Sequence, residues 1–211
     1  MNLAPLGPLA GYTIGITADR RWEEQAELLQ RRGARVLHGP TIRTRALHDE
    51  DALSHATTAL VAQAPDAVLL TTGLGTRGWF AAAESLGVGE ALHDALVRAR
   101  VYARGPKAAG AAITAGLEVV WKAPGSRACE LVERLQTDRA SGDLAGSRVA
   151  VQLDGSSVSW VQDQLTAAGF DVVPVPIYRW TMPDEPAPAV RLIQAVADRA
   201  VDAVTLSLIH I

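Results

Sequence analysis

A single cysteine, Cys129, is all the thiol chemistry this 211-residue sequence contains. No internal disulfide and no cysteine-based metal site can form, and a reducing cytoplasm is the natural setting. Nowhere do about 18 apolar residues run uninterrupted, and residues 1–9 lack the basic start of a secretory signal, so neither membrane spanning nor secretion is expected. The Pro and Gly in that opening stretch read as a loose tail. Basic residues are also short: 20 Lys and Arg against 23 Asp and Glu leave a net charge of −3. That balance excludes a broad nucleic-acid surface, which needs clustered cations. The five histidines, His38, His48, His55, His93 and His210, form no closely spaced ligand pair, so a metal is unsupported. No low-complexity tract or charge block appears.

What is present is hydrophobic content of 48%, enough to bury one sizeable core or two modest ones. Residues 11–44 and 146–180 read as two copies of one strand, helix, strand unit. Gly11 matches Gly146, Asp19 matches Asp154, Leu29 matches Leu165, Gly33 matches Gly169, and Val36 matches Val172. Each copy ends in a proline and an arginine, Pro40 with Arg43 and Pro176 with Arg179. Proline cannot donate to a ladder, so each copy should leave its sheet there and cross between two bodies.

Short apolar runs at 12–17, 66–71, 100–104, 117–120, 148–153 and 171–175 predict strands buried on both faces. Between them, helical spacing runs through 23–32, 52–63, 76–85, 90–98, 107–115 and 157–168, with another helix expected at 187–200 and the opening of a strand at 201–205. Alternation of this kind implies an α/β protein with parallel sheets and right-handed crossovers. The expected organisation is a first lobe begun by residues 1–38, a crossing at 39–46, a second lobe at 47–174, a second crossing at 175–183, and a return to the first lobe at 184–205. The returning lobe holds few strands to close a sheet, so the chain is expected to be incomplete and poorly soluble. Residues 206–211 read either as the apolar end of a strand or as the translated end of a transposon adapter used in sequencing libraries, and on the latter reading the native reading frame is expected to end near Thr205.

Ligands of open parallel sheets sit beyond the carboxyl ends of the strands, which directs attention to the loops 19–21, 71–75, 104–107 and 154–157. Gly73, Gly75 and Gly78 satisfy a dinucleotide fingerprint after a strand. The next strand ends in Arg104, without an acidic residue for a ribose hydroxyl, so the motif reads either as an NADP site or as a tight turn for close packing. Thr71 and Thr72 are candidate helix caps or ligand-binding hydroxyls. Gly105, Pro106 and Lys107 form a helix start, and Lys107 is either a carboxylate partner or a solvated lysine. Ser156 and Ser157 follow Gly155 without a nucleophile elbow. Tyr178 stands in the second crossing, either packed on the linker or with its hydroxyl in a cleft; an ordinary tyrosine, with a pKa of about 10, donates rather than acts as a base.

In this order, these elements resemble the uroporphyrinogen-III synthase family. Residues 14–17 with Arg20 and Arg21 are similar to its opening strand and arginine-bearing loop, and 40–43 to its first crossing. Residues 66–75 are similar to a strand ending in Thr-Ser, 105–107 to its Gly-Pro helix start, and 176–179 to the second crossing with its tyrosine. The resemblance covers residues 11–205 and implies two Rossmann-like, flavodoxin-like lobes joined by a two-stranded connection. It also implies a lyase that cyclises hydroxymethylbilane with inversion of the last ring, in haem, sirohaem and cobalamin synthesis, with no cofactor.

By the same resemblance, Tyr178 assists departure of the hydroxyl. Thr17, Arg20, Thr71, Thr72, Gly73, Gly105, Lys107, Gly155 and Ser156 would bind the substrate. Two positions depart from the family pattern: Leu74 replaces a usual asparagine and Ala108 a frequent threonine. The expected partner is this small molecule alone, with no membrane and no nucleic acid for this chain, acting on a monomer. The wording of 71–80 and 104–107 looks most like an actinobacterial-type branch that precedes a winged-helix domain. The alternative function is therefore a tetrapyrrole-sensing regulator whose DNA-binding domain lies outside these residues.

Overall fold

The computed structural model describes residues 7–47, 51–153, 155 and 160–206. The readings of residues 1–6 as a loose tail, of 207–211 as a non-native end, and of Asp154, Ser156 and Ser157 as a loop and helix start lie outside the described residues. The chain folds as two compact units. One comprises the described residues up to Thr44 and from Trp180 onward, the other Arg45–Arg179.

The first unit is a three-stranded parallel sheet with β1 (Thr13–Ile16) at its centre. β2 (Arg35–His38) lies on one side and β10 (Ala203–Thr205) on the other. α1 (Trp22–Gln30) joins β1 to β2 and packs Ala26 against Ile16 and Ala18. Arg21 caps it in the left-handed region and forms an ion pair with Glu24 in the first turn, where negative charge suits the helix dipole. α8 (Ala187–Ala197) buries Ala189 and Leu192 and exposes Val190 and Ile193.

In the second unit, α2 (Asp51–Ala62) precedes a five-stranded parallel sheet of β4 (Ala67–Leu70), β5 (Arg100–Ala103), β6 (Val119–Lys122), β7 (Arg148–Gln152) and β8 (Asp171–Val175). Between strands run α3 (Gly73–Ser85), α4 (Gly89–Val97), α5 (Pro106–Thr114), α6 (Ala128–Ser141) and α7 (Trp160–Ala167). The sheet order is β6-β5-β4-β7-β8. β4 therefore has the strands that follow it on one side and β7 on the other, and the winding direction reverses between β4 and β7. The chain passes between units within β3 (Arg43–Ala46) and β9 (Tyr178–Thr181), which pair in a two-stranded ladder.

Alternation along the strands builds two cores. Val68 and Leu70 of β4 join Leu53, Trp79, Leu92 and Val101 on one face, while Ala67 and Leu69 join Tyr102, Leu131, Val149 and Leu165 on the other. β4 is buried throughout, and so are β5 and β7 except for their first residues, as expected of strands covered on both faces. β6 and β8 are edges and only half-buried, which explains why the run at 117–120 marks the sixth strand two residues early. On the second face, Asp138 of α6 sits 2.6 Å from the Tyr102 hydroxyl and 2.7 Å from Arg134 Nε. Burial, with the Asp138 hydrogen bond, pushes the Tyr102 phenol up to about 12.

The sequence echo has a geometric counterpart. β1 pairs with β2 and β7 with β8 in one register: Ile14 faces Val36 and Val149 faces Val172. Both connecting helices end alike. Gly33 (φ 96°) and Gly169 (φ 80°) turn the chain, and the next amides, of Ala34 and Phe170, donate to Leu29 and Leu165.

The outer neighbours match too, which the echo itself did not include. The Asp66 amide donates to the Arg148 carbonyl, and the Asp66 carboxylate accepts from the Arg148 amide at 2.9 Å. The Asp202 amide donates to the Thr13 carbonyl, and the Asp202 carboxylate accepts from the Thr13 amide at 2.7 Å. An Asp-Ala-Val run opens both β4 and β10, so β10 and β1 of the first unit correspond to β4 and β7 of the second.

Candidate functional site

The winding reverses between β4 and β7, and open parallel sheets bind their ligands beyond the carboxyl ends of the strands at such a point. The residues at that point are Thr71 and Thr72 after β4 and Gln152 closing β7. All are buried, and Gln152 is fully so. Thr72 is the N-cap of α3: its backbone is extended and its Oγ1 accepts from the Gly75 amide at 3.0 Å. Gln152 Nε2 donates to Thr71 Oγ1 at 3.1 Å and to Thr72 Oγ1 at 3.0 Å. Thr71 Oγ1 in turn donates to the Gln152 carbonyl at 2.9 Å. The Thr76 hydroxyl donates to the Thr72 carbonyl at 2.9 Å and lies 3.2 Å from Gln152 Oε1. The buried Tyr178, opening β9 in the same unit, places its hydroxyl 3.3 Å from Thr72 Oγ1.

Close approach rather than a turn explains two glycines. α3 begins at Gly73, so Gly73, Gly75 and Gly78 lie within the helix and not in a loop before it. This corrects the reading of 71–75 as a loop and of the helix as starting at 76. A side-chain carbon on Gly75 would fall on the Gln152 amide nitrogen, and one on Gly73 would fall on the Lys107 carbonyl of α5. The Gly75 amide, which a phosphate cradle would offer, is already taken by Thr72.

The second unit thus gathers Thr71, Thr72, Gly73 and Tyr178. It sets the start of α5 beside them, with Gly105 as extended N-cap and Pro106 in the first turn. Lys107 is exposed there. Gly155, buried with φ 97°, follows β7, while Ser156 lies outside the described residues. Thr17 and Arg20 belong to the other unit. There the Thr17 hydroxyl donates to the Thr205 carbonyl at 3.0 Å, and Arg20 is exposed.

One expectation changes. The Thr71 hydroxyl is directed at the Gln152 carbonyl, so this side chain braces the strand ends and does not offer a donor to a ligand. The donors left by position are the first-turn amides of Gly73 and Leu74 in α3 and of Lys107 and Ala108 in α5, which helix geometry leaves without a partner in their own helix. Sequence reasoning passed over Gln152 and Thr76. A carboxamide closing an otherwise apolar strand was the available signal, because a buried amide must find partners. Among the described residues no group of three or more His, Cys, Asp or Glu could hold a metal ion.

Comparisons with known proteins agree on one family. The family model described as uroporphyrinogen-III synthase HemD matches residues 23–207. A mutant uroporphyrinogen III synthase from the extremely thermophilic bacterium Thermus thermophilus is similar in structure, with TM-score 0.74 and 27% identity over 92% of this chain and 71% of that one. The wild-type enzyme of that organism, in another crystal form, gives 0.65 and 27% over 92% and 71%. A further Thermus thermophilus uroporphyrinogen III synthase structure gives 0.60 and 28% over 92% and 72%. A comparison with curated proteins returned no match.

Proposed function

The chain belongs to the uroporphyrinogen-III synthase family, lyases of tetrapyrrole synthesis, and on that premise we propose that the β4–β7 switch point of its second unit is where hydroxymethylbilane loses its hydroxyl. The observation that carries the proposal is the Tyr178 hydroxyl, buried at the switch point and tied to the N-cap of α3. In the reaction the C–O bond of the hydroxymethyl group breaks and its electron pair leaves on oxygen, which takes a proton and departs as water. The electron-deficient carbon is attacked by the substituted carbon of the last ring, which gives a spiro intermediate; the bond from that ring carbon to its original methylene bridge then breaks, and the freed methylene bonds to the ring's unsubstituted carbon, which releases its proton. Tyr178 donates its hydroxyl hydrogen to the departing oxygen. Positioning supplies most of the remaining effect, because unassisted closure gives the uninverted isomer.

The substrate carries eight carboxylates while the chain has a net charge of −3. Helix N-termini reconcile the two, since they attract anions without a basic patch. The starts of α3 at Gly73 and of α5 at Gly105 with Lys107 hold carboxylates in the second unit. Gly155 follows the carboxyl end of β7, and with Ser156, next in sequence, it is a further candidate for carboxylate binding. Thr17 and Arg20 serve in the same way at the end of β1. Thr71 and Thr72 keep the frame in register. We infer that the protein works as a cytoplasmic monomer without a nucleic-acid partner, and light scattering should give one chain mass of 22.3 kDa. Its sparse cysteine and net negative charge support that setting.

The test is to supply freshly made hydroxymethylbilane to the chain and separate the product isomers. Uroporphyrinogen III is expected well above the uncatalysed background. Only the uninverted isomer, at the background rate, would refute the proposal.

A further inference from the structure

His38 closes β2 and faces Ile16, the last residue of β1, in register. A carbonyl can only accept, and the Ala18 carbonyl stands 2.8 Å from His38 Nε2, so that nitrogen carries a hydrogen and donates it. The face of the same imidazole stacks on the Trp22 ring, with centroids 3.9 Å apart and planes 8° from parallel. Ala18 is buried just beyond β1, and Trp22 is the first residue of α1, packed on the small core of Ile16, Ala18 and Ala26. One ring therefore holds both ends of the turn formed by Asp19, Arg20 and Arg21. Arg21 adopts a φ of 55°, which a residue with a side chain keeps only where its surroundings impose it. The two arginines of the turn differ. Arg21 is engaged by Glu24 through two hydrogen bonds, whereas Arg20 is exposed and makes no hydrogen bond or ion pair among the described residues.

We propose that His38 is a positioning residue for substrate binding: through Ala18 and Trp22 it clamps the β1–α1 turn in the shape that presents the Arg20 guanidinium to a substrate carboxylate. The inference rests on the reading of Arg20 given above, and adds what holds the backbone of that arginine in place. His38 itself touches no reacting atom. A guanidinium on a fixed turn has less freedom to lose on meeting a carboxylate than one on a loose turn, so the clamp is felt as affinity and not as rate.

The test is a double-mutant cycle in the full chain, with hydroxymethylbilane as substrate. His38→Phe keeps a ring to stack on Trp22 and removes the hydrogen bond to Ala18. It is expected to raise KM about 3- to 10-fold with kcat changed less than about twofold, the range of side-chain ordering moved into the binding step. In an Arg20→Gln background the same change should raise KM less than about 1.5-fold, because the group being placed has lost its charge. Trp22→Leu gives a second readout. It removes the stack and leaves the hydrogen bond, and should raise KM about 2- to 5-fold by the same route, again only while the Arg20 guanidinium is present.

A KM that stays at the parent value in both variants, or that rises equally with and without the Arg20 guanidinium, would overturn the inference. So would failure of both variants to fold, which would assign the stacked pair to the core of the first unit alone. If Arg20→Gln by itself leaves KM unchanged, the reading of Arg20 fails and the inference falls with it. Equal rises on top of a KM that Arg20→Gln does raise would leave that reading standing and sink the clamp alone.

Discussion

The strand pairs β1–β10 and β7–β4 start alike and end differently. Each begins with an aspartate whose amide and carboxylate both engage the residue across from it, Asp202 on Thr13 and Asp66 on Arg148. At the carboxyl ends the likeness stops. By register Thr17 corresponds to Gln152. Thr17 makes one hydroxyl bond to the Thr205 carbonyl, whereas Gln152 ties together Thr71, Thr72 and Thr76. The entries of these strands serve folding and register, and the polar wiring is added at the exits. One supersecondary unit can thus appear twice with a single copy carrying the buried amide.

Substitutions at exit and entry should separate these roles. The largest effect is expected from Gly75→Ala, whose new methyl falls on the Gln152 amide. Overpacking of this kind costs about 1–3 kcal/mol, so urea denaturation should register the loss while activity falls further than stability alone explains. A variant of parent activity would mean the exit cluster is idle.

Next come the clasps. Asp66→Ala and Asp202→Ala each remove a charged hydrogen bond worth about 1–3 kcal/mol. Both should lower the unfolding midpoint without altering the ratio of product isomers. A changed isomer ratio from Asp66→Ala alone would break the division between entry and exit.

Smaller effects sharpen the picture away from the switch point. The raised Tyr102 pKa means that its neutral form is favoured by folding. Its contribution is fully present below pH 10 and is lost as pH rises toward about 12. Tyr102→Phe should remove that alkaline loss from the stability profile, and an unchanged profile would assign it elsewhere. The smallest effect belongs to Glu130, whose carboxylate accepts from the Arg127 and Gly125 amides at the start of α6 and is held below its usual value of 4.5 chiefly by the Arg127 amide. Its contribution is present above that value and fades as pH falls through the lowered one, so Glu130→Gln should flatten the acid limb of the stability curve slightly.

The α/β class and the parallel sheets were legible because β4, β5 and β7 are covered on both faces and their residues read as unbroken apolar runs. The edges were less legible: β6 alternates between half-buried and exposed, so its run was placed early. Matching letters can also hide different physics. Gly11 and Gly146 align in the echo, yet Gly11 is needed for its φ of 89°, while a side chain on Gly146 would collide with the Asp66 carboxylate. At the site, Thr72 and Tyr178 were visible as polar residues at a strand end and a crossing. Gln152 was not, because its importance comes from the Thr71, Thr72 and Thr76 hydroxyls, which lie about 80 residues away in sequence and meet it only once β4 and β7 pair.

The measurement that tests the account most directly is the rate of uroporphyrinogen III formation by Tyr178→Phe beside the parent chain, with the unfolding midpoint of each recorded in parallel. Removing a hydroxyl that donates to the departing oxygen should slow the reaction about 100-fold or more, with the midpoint little changed. A rate equal to that of the parent would contradict the placement of chemistry at the β4–β7 switch point.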